Sequence, residues 1–248
     1  MRTRTQLYNS LLRYQVDLSF GTEISILKHS NWSEANTVLD YGCGNAYFSY
    51  CLSKKYSDKF FYCCDRDEDI LKAGQRTAHM NMICGEFPMV KIPDNIDFFI
   101  IRHLTSYLSD RESFFSWIKE HAAKKASILL IDAFDEKLII EPFMPNFQKG
   151  LDMFYKKVDK EGGQRNLHDI VKGELENQKF RYCDELKIVV NSEQKLNKEK
   201  LFIYMNLVAE LDNGLPLSEL IREELMQWVT NSDSYLQYGL FVSLFQLS

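Results

Sequence analysis

Short apolar segments alternate with helical segments between residues 37 and 132, and this alternation limits the possible folds more than any other feature of the chain. Helices separate most of the strands, which is typical of a parallel sheet covered by helices on both faces. One of these segments is apolar on both faces, as a central parallel strand should be. The predicted strands are Thr37–Tyr41, Phe60–Cys64, Met80–Cys84, Ile96–Ile101 (the central one) and Ser127–Asp132.

The flanking segments are predicted from periodicity and from helix-start signals. The spacing Ser109-x-x-Glu112 predicts the start of a helix that runs to about Lys124. Gly21 predicts a break in an amphipathic N-terminal segment, and Tyr235–Leu247 alternates as a strand does. Further predictions are a strand at Glu185–Ser192 and helices at 197–211 and 217–230. With no linker visible, we expect one domain, 1–248, divided into a helical arm (1–30), a core (36–135), a lid or insertion (136–180) and C-terminal strands and helices (181–248).

Composition excludes several classes of protein. Thirty Lys and Arg against 35 Asp and Glu give a net charge of −5, which argues against a nucleic-acid partner. The apolar runs are far shorter than the roughly 20 residues of a membrane helix, and the basic N-terminus has no apolar stretch after it, so neither a membrane nor a secretory signal is expected. The cysteines lack CxxC spacing and are expected to be buried thiols of a cytoplasmic protein: Cys43, Cys51, Cys63, Cys64, Cys84 and Cys183.

The chain bends at Asp40-Tyr-Gly42-Cys-Gly44, where the first predicted strand gives way to a helix. Glycines here allow a tight bend and let a ligand approach main-chain atoms without meeting a Cβ. Asp65 stands at the end of the next strand. A carboxylate there can accept hydrogen bonds from both hydroxyls of a ribose, so the pattern predicts a nucleoside-containing ligand.

Two nucleoside ligands fit this bend unequally. A dinucleotide site needs a third glycine three residues after Gly44, where this chain has Tyr47, and Asp40 would repel a neighbouring phosphate. Asp40 suits a ligand with an ammonium group, which favours S-adenosylmethionine over a nicotinamide cofactor. The plain alternative is a strand, turn and helix with no ligand.

Val38-Leu-Asp-Tyr-Gly-Cys-Gly-Asn45 resembles the first motif of the class I S-adenosylmethionine-dependent methyltransferases, and Cys64-Asp65 resembles their second. The resemblance covers about residues 36–135. It implies an α/β fold with a Rossmann-like, mostly parallel seven-stranded sheet and the cofactor lying across the strand ends. One departure is Ala46, which stands where the family commonly has a third glycine.

The resemblance also implies roles for individual residues. The glycines would line the methionine portion of the cofactor, Asp40 would reach its amino group and Asp65 would hold the ribose. Glu86, in place of the family's more usual Asp, would accept a hydrogen bond from the adenine, and Phe87 would cover the ring. The full set assigned to cofactor binding is Asp40, Gly42, Gly44, Asp65, Arg66, Glu86, Phe87 and Arg102.

The segment after the fourth strand stands where the family places residues that face the transferred methyl group. Within it, His103 is the candidate catalytic base, because imidazole titrates near neutral pH; framing the cofactor or capping a helix is the alternative. No histidine lies in a cluster with metal-ligand spacing, so no metal is expected. Aromatic residues of the arm, the loop and the insertion are candidates for binding substrate: Tyr14, Tyr107, Phe143 and Phe147.

These features together predict a cytoplasmic enzyme that transfers a methyl group from S-adenosylmethionine to a small-molecule substrate. Two alternatives stay open. One is a catalytically silent scaffold of the same fold that binds a cofactor or a partner, and the other is a nicotinamide-dependent oxidoreductase. The acceptor atom and the oligomeric state are not readable from the residues.

Overall fold

A computed structural model of the chain describes residues 2–160, 163–164, 166–213 and 218–248. The described strands are β1 (Thr37–Tyr41), β2 (Phe60–Asp65), β3 (Met80–Cys84), β4 (Ile96–Arg102), β5 (Ala122–Glu141), β6 (Phe180–Asn191) and β7 (Tyr235–Leu247). They form a seven-stranded sheet in the order β3-β2-β1-β4-β5-β7-β6. Strands β1 to β5 pair in parallel, and β7 pairs antiparallel with both β5 and β6. The predicted Rossmann-like, mostly parallel sheet is therefore confirmed.

Helices cover both faces of this sheet. They are α1 (Arg4–Glu23), α2 (Tyr47–Lys55), α3 (Glu68–Lys72), α4 (Arg111–His121), α5 (Pro145–Lys160), α6 (His168–Asn177), α7 (Lys195–Asn213) and α8 (Glu219–Thr230). Helix α1 packs along α7 and also contacts α2. A bidentate ion pair from Arg2 to Glu210 joins the start of α1 to α7.

Alternation along the central strand builds two cores. Phe98 and Ile100 of β4 point to one side of the sheet and join the core beneath α2, α7 and α8. Phe99 and Ile101 point to the other side and join the core beneath α4 and α6. All four are completely buried, and burying a side chain of this size contributes about 1.5–3 kcal/mol. This strand, whose central residues are apolar on both faces, is thus buried on both faces, as the sequence predicted.

The strand order reverses between β1 and β4. From β1 the chain proceeds outward through β2 and β3, and from β4 it proceeds the opposite way through β5. In open α/β sheets, the loops that leave the carboxyl ends of two such strands diverge and leave a crevice between them. The crevice here lies between the turn after β1 and the loop after β4.

Several predicted boundaries were wrong, each for a local reason. Gly21 lies inside α1, which continues to Glu23. Asp110 rather than Ser109 caps α4, because its carboxylate accepts a hydrogen bond of 3.1 Å from the Ser113 amide. Strand β5 runs well beyond the predicted end at Asp132, since β7 continues to pair with it as far as Glu141.

The cysteines are less uniform than expected. All six are free thiols, but only Cys63 and Cys64 are buried. Cys84 is exposed, and the others are half-buried. No described helix is both long and apolar enough to cross a membrane.

Candidate functional site

A cavity of about 1080 Å³ opens at the carboxyl ends of β1 and β4. Helix α1 forms one wall, to which Tyr8, Leu12 and Gln15 contribute. Helices α5 and α7 and strand β7 also contribute lining residues. Pockets for drug-sized ligands occupy about 300–1,000 Å³, so this cavity has room for a nucleoside cofactor and a second small molecule.

The turn after β1 has the backbone conformation that the glycines were predicted to allow. Gly42 and Gly44 have φ values of +75° and +55°, a region costly for other L-residues. A Cβ on Gly44 would stand 2.6 Å from the Leu12 side chain of α1. Ala46 adopts the same left-handed region at φ +54°, so the departure from the family's glycine keeps the turn at the cost of local strain.

Asp40 is a buried carboxyl in the floor of the cavity. Its side chain is 2% exposed and accepts a hydrogen bond of 2.6 Å from the Ser49 hydroxyl. Burial raises the pKa of Asp40 to about 7, and the Ser49 hydrogen bond and the Arg102 guanidinium only partly oppose this. The protein holds an acceptor here whose charge is poorly compensated, which suits a cationic ligand group.

Asp65 lies at the end of β2, as predicted, and is fixed by two backbone amides. One carboxylate oxygen accepts from the Gly44 amide at 2.7 Å and the other from the Asp67 amide at 2.9 Å. Each oxygen keeps a further lone pair, so the carboxylate can still accept from vicinal hydroxyls in the cavity.

Phe87 and Glu86 lie on the cavity wall beyond Asp65. The Phe87 ring packs edge-to-face against Phe114 and Trp117, with ring centroids 5.7 and 5.6 Å apart. The Glu86 carboxylate accepts a hydrogen bond of 2.9 Å from the Arg66 guanidinium, and this ion pair is exposed. An aromatic ring held in place beside a carboxylate can cover a purine and accept from its amino group.

Arg102 also lines the cavity, but its charge is engaged elsewhere. Its guanidinium donates to the Glu23 carboxylate of α1 at 3.0 and 3.1 Å, and to the Gln15 carbonyl at 3.3 Å. Glu23 is completely buried. This pair joins the end of α1 to the end of β4, and sequence reasoning missed it, because 79 positions separate its members.

The loop after β4 brings His103 beside a second buried carboxylate. His103 has φ +52°, and its Nδ1 lies 3.8 Å from Oδ1 of Asp132 at the predicted end of the fifth strand. Asp132 is 6% exposed; its other oxygen accepts from the Thr105 hydroxyl and Oδ1 accepts from the Ala133 amide at 2.9 Å. Backbone strain of this kind clusters at functional sites. The pairing of His103 with Asp132 depends on β4 lying next to β5 in the sheet.

Of the four residues predicted to bind substrate, two line the cavity and two do not. Phe147 is buried in the cavity wall, and Tyr107 lines the cavity while half exposed. Tyr14 lies outside the lining and packs on a small apolar cluster with Leu207 between α1 and α7. Phe143 is also outside the lining and is 68% exposed. Both point away because helical and loop geometry, not residue type, decides which aromatic side chains face the cavity.

The donor set fits S-adenosylmethionine. Asp40 matches an ammonium, Asp65 matches a ribose, and Phe87 with Glu86 matches an adenine. The glycine turn leaves space that a Cβ would fill. No group of three or more metal-ligating side chains is assembled among the described residues.

A comparison with known proteins finds a matching domain model. Residues 39–130 match a family model described as a methyltransferase domain. No curated protein sequence matches the chain.

Solved structures share the fold at low sequence identity. N-methyltransferase NodS from Bradyrhizobium japonicum, solved with S-adenosylhomocysteine, superimposes with a TM-score of 0.53 at 11% identity, over 97% of this chain and 98% of that one. Phosphoethanolamine N-methyltransferase 2 from Haemonchus contortus, also solved with S-adenosylhomocysteine, gives 0.55 at 12% identity, over 98% of this chain and 60% of that one. The [4+2]-cyclase SpnF gives 0.59 at 9% identity, over 91% of this chain and 79% of that one. Residues 39–130 thus match a methyltransferase domain, and the chain as a whole shares the fold of these solved structures.

Proposed function

We propose that this protein transfers the methyl group of S-adenosylmethionine to a small-molecule acceptor bound between α1, the loop after β4 and helices α5 and α7. One observation carries the proposal. His103, with Asp132 behind it, lines the same cavity as the turn formed by Gly42 and Gly44. A proton acceptor and a nucleoside-type binding turn therefore face one enclosed volume.

When bound, the cofactor supplies an electrophilic methyl group on a sulfonium centre. Asp40 and Asp65 would hold its two polar ends, so that the reacting carbon lies at a fixed place in the cavity. Each carboxylate is itself fixed, Asp40 by Ser49 and Asp65 by the backbone amides of the turn.

His103 would accept the proton that the acceptor loses. Because Nδ1 lies on the Asp132 side, 3.8 Å from its carboxylate, Nε2 would be the nitrogen that acts as the base. Thr105 and the Ala133 amide fix Asp132 in turn. Asp132 is therefore a positioning residue that acts through His103.

Apolar side chains close the acceptor side of the cavity against water. Phe147 of α5, Met205 of α7 and Leu240 of β7 all line it and are almost completely buried. Exclusion of water protects the bound methyl donor from hydrolysis and keeps the nucleophile unsolvated. A lining of this kind supports an acceptor with an apolar body.

The test is formation of S-adenosylhomocysteine from S-adenosylmethionine with a panel of acceptors, measured by mass spectrometry. We expect His103→Gln to lower kcat by about 10²- to 10⁴-fold, the usual contribution of a general base, with unchanged affinity for S-adenosylhomocysteine. Asp132→Asn should lower kcat less and alter the pH profile. His79→Gln, an exposed histidine outside the cavity, is the matched control and should keep full activity.

Turnover, rather than cofactor binding, has to decide the case. SpnF, named as a [4+2]-cyclase, shares this fold, so binding alone would also suit a scaffold or a different reaction. Tight binding of S-adenosylhomocysteine without any methylated product across the panel would favour the catalytically silent alternative. Tight binding of a nicotinamide cofactor instead would overturn the proposal.

A further inference from the structure

We propose, on the basis of the function proposed above, that the acceptor is an amine that enters as an ammonium ion and carries an apolar or aromatic body. The inference comes from the charge and hydrogen-bonding character of the acceptor compartment. This compartment is the part of the cavity lined by Gln15 of α1, by the residues of β5 after Ile131 and by those of α5, α7 and β7.

Buried negative charge in this compartment is not balanced by a neighbouring cation. Asp132 is 6% exposed, and no lysine or arginine forms an ion pair with it among the residues that the structure describes. Nδ1 of His103 lies 3.8 Å from its Oδ1. A buried carboxylate without a cation is costly unless a bound partner supplies one.

The guanidinium in the same wall does not supply that charge. Arg102 is 8% exposed and is bound by both oxygens of the buried Glu23, so the two charges cancel. Lys157, the other basic side chain on this side of the cavity within the described ranges, is exposed on α5. An anionic acceptor would therefore meet carboxylate without a buried counter-charge.

A second, independent observation is a buried acceptor that has no donor. Oε1 of Gln15 is buried and has no hydrogen-bond partner in the described part of the chain, and Gln15 lines the cavity from α1. A buried polar atom of this kind costs about 1–3 kcal/mol unless a ligand satisfies it. A ligand with several N–H donors matches both this oxygen and Asp132.

Aromatic faces complete the match. Tyr204 of α7 and Tyr238 of β7 are stacked in the cavity wall with ring centroids 5.9 Å apart and an interplanar angle of 20°. Faces of this kind attract cations and also pack against planar apolar groups. Carboxylate, amide oxygen and tyrosine together are the surroundings in which an ammonium is favoured over a neutral or anionic group.

The chemistry balances with the groups already present. The ammonium gives one proton to His103, and the nitrogen lone pair then forms the new N–C bond. The C–S bond breaks with its electron pair left on sulfur, so the sulfonium becomes a neutral thioether and the nitrogen becomes a methylated ammonium. The proton on His103 passes to water after the products leave.

The test measures binding separately from turnover. Protein saturated with S-adenosylhomocysteine is titrated by calorimetry at pH 7.5 with 2-phenylethylamine, 2-phenylethanol and 3-phenylpropionate, which share an apolar body and differ in charge. We expect the amine to bind roughly tenfold or more tightly than the alcohol, the difference that one hydrogen bond to a charged group gives, and the acid to bind most weakly. Asp132→Asn and Gln15→Met should each remove most of the amine's advantage and leave the affinity for the alcohol within about twofold.

Equal or tighter binding of the alcohol or the acid would overturn the inference, and so would the absence of measurable binding by all three. A uniform loss for all three ligands in Asp132→Asn would mean that the residue only supports the fold. Affinity for S-adenosylhomocysteine is measured first. Its absence counts against the proposed function itself, whereas tight cofactor binding without amine preference counts against the amine alone.

Discussion

Replacing Asp40 by Asn should make stability and cofactor affinity change in opposite directions, and pH should control both. Burial raises the pKa of Asp40 from 3.8 to about 7 in the folded chain. Between these values the folded protein keeps a proton that the unfolded chain has lost. Its free energy of unfolding therefore falls as pH rises, at about 1.4 kcal/mol per pH unit from this group alone.

The size of this stability change follows from the difference between the two pKa values of Asp40. The full shift corresponds to about 4 kcal/mol, and the part lost between pH 5 and pH 8 is about 3 kcal/mol. Asparagine carries no charge at either pH, so Asp40→Asn lacks this term. We expect the stability of the variant relative to the natural chain to rise by about 3 kcal/mol between pH 5 and pH 8. Comparing the two proteins cancels the titration of every other carboxylate.

Cofactor affinity should depend on pH in the opposite direction to stability. An ammonium beside Asp40 favours the ionised carboxylate, so binding of S-adenosylhomocysteine near pH 6.5 should release a proton and tighten as pH rises toward 8. Calorimetry in two buffers of different ionisation enthalpy measures that release. Asp40→Asn should bind more weakly at pH 8 and release no proton.

Denaturant unfolding at pH 5, 6, 7 and 8 measures the stability term. A difference between the two proteins that stays constant within about 0.5 kcal/mol across this range would refute the argument, because it would mean that Asp40 ionises in the folded state as it does in water. Identical proton release by both proteins on binding would refute the ammonium assignment.

Three further outcomes test the elements around the cavity. Gly44→Ala should destabilise the fold by about 1–2 kcal/mol for the left-handed backbone alone and weaken cofactor binding, whereas Gly21→Ala, in open space inside α1, should stabilise it by about 0.5–1 kcal/mol; thermal unfolding compares the two. Glu23→Ala leaves Arg102 buried without its partner and should cost about 3–5 kcal/mol, a loss that a second change of Arg102 to Met should largely restore; no recovery would contradict the pairing. Asp65→Ala should weaken S-adenosylhomocysteine binding by roughly 1.5–3 kcal/mol, and an unchanged dissociation constant would remove the ribose assignment.

Local pattern predicted much of the fold, because it depends on periodicity within single strands. The segment Ile96–Ile101 was predicted because it is apolar on both faces, and the final strand Tyr235–Leu247 was predicted from its alternation. Strand β5 was predicted too short, since the pairing that extends it to Glu141 comes from a strand about a hundred residues away. Where a helix is capped by one of two adjacent polar residues, as with Ser109 and Asp110, only the three-dimensional course of the chain decides between them.

The candidate site divides in the same way. Asp40, the turn glycines and Asp65 were named from the residue pattern, because the sheet brings strand ends together. Glu86, Phe87 and His103 were named from the family resemblance. The partners that define their chemistry were not: Glu23 for Arg102 and Asp132 for His103 are contacts between distant elements. The residue pattern also did not separate the aromatic side chains that face the cavity from those that do not. Phe147 lines the cavity, whereas Tyr14 packs between α1 and α7.

The place of β7 between β5 and β6 has a consequence for biosynthesis. Strand β6 is made before β7. Among the described strands β7 is its one neighbour in the sheet and joins it to β5, so β6 stays unpaired until β7 leaves the ribosome. During the seconds needed to translate the intervening helices, β6 is an unpaired strand, and the part of the sheet formed by β5, β7 and β6 cannot assemble. A nascent chain halted before Tyr235 should therefore carry a folded nucleotide-binding half and an exposed, chaperone-accessible β6.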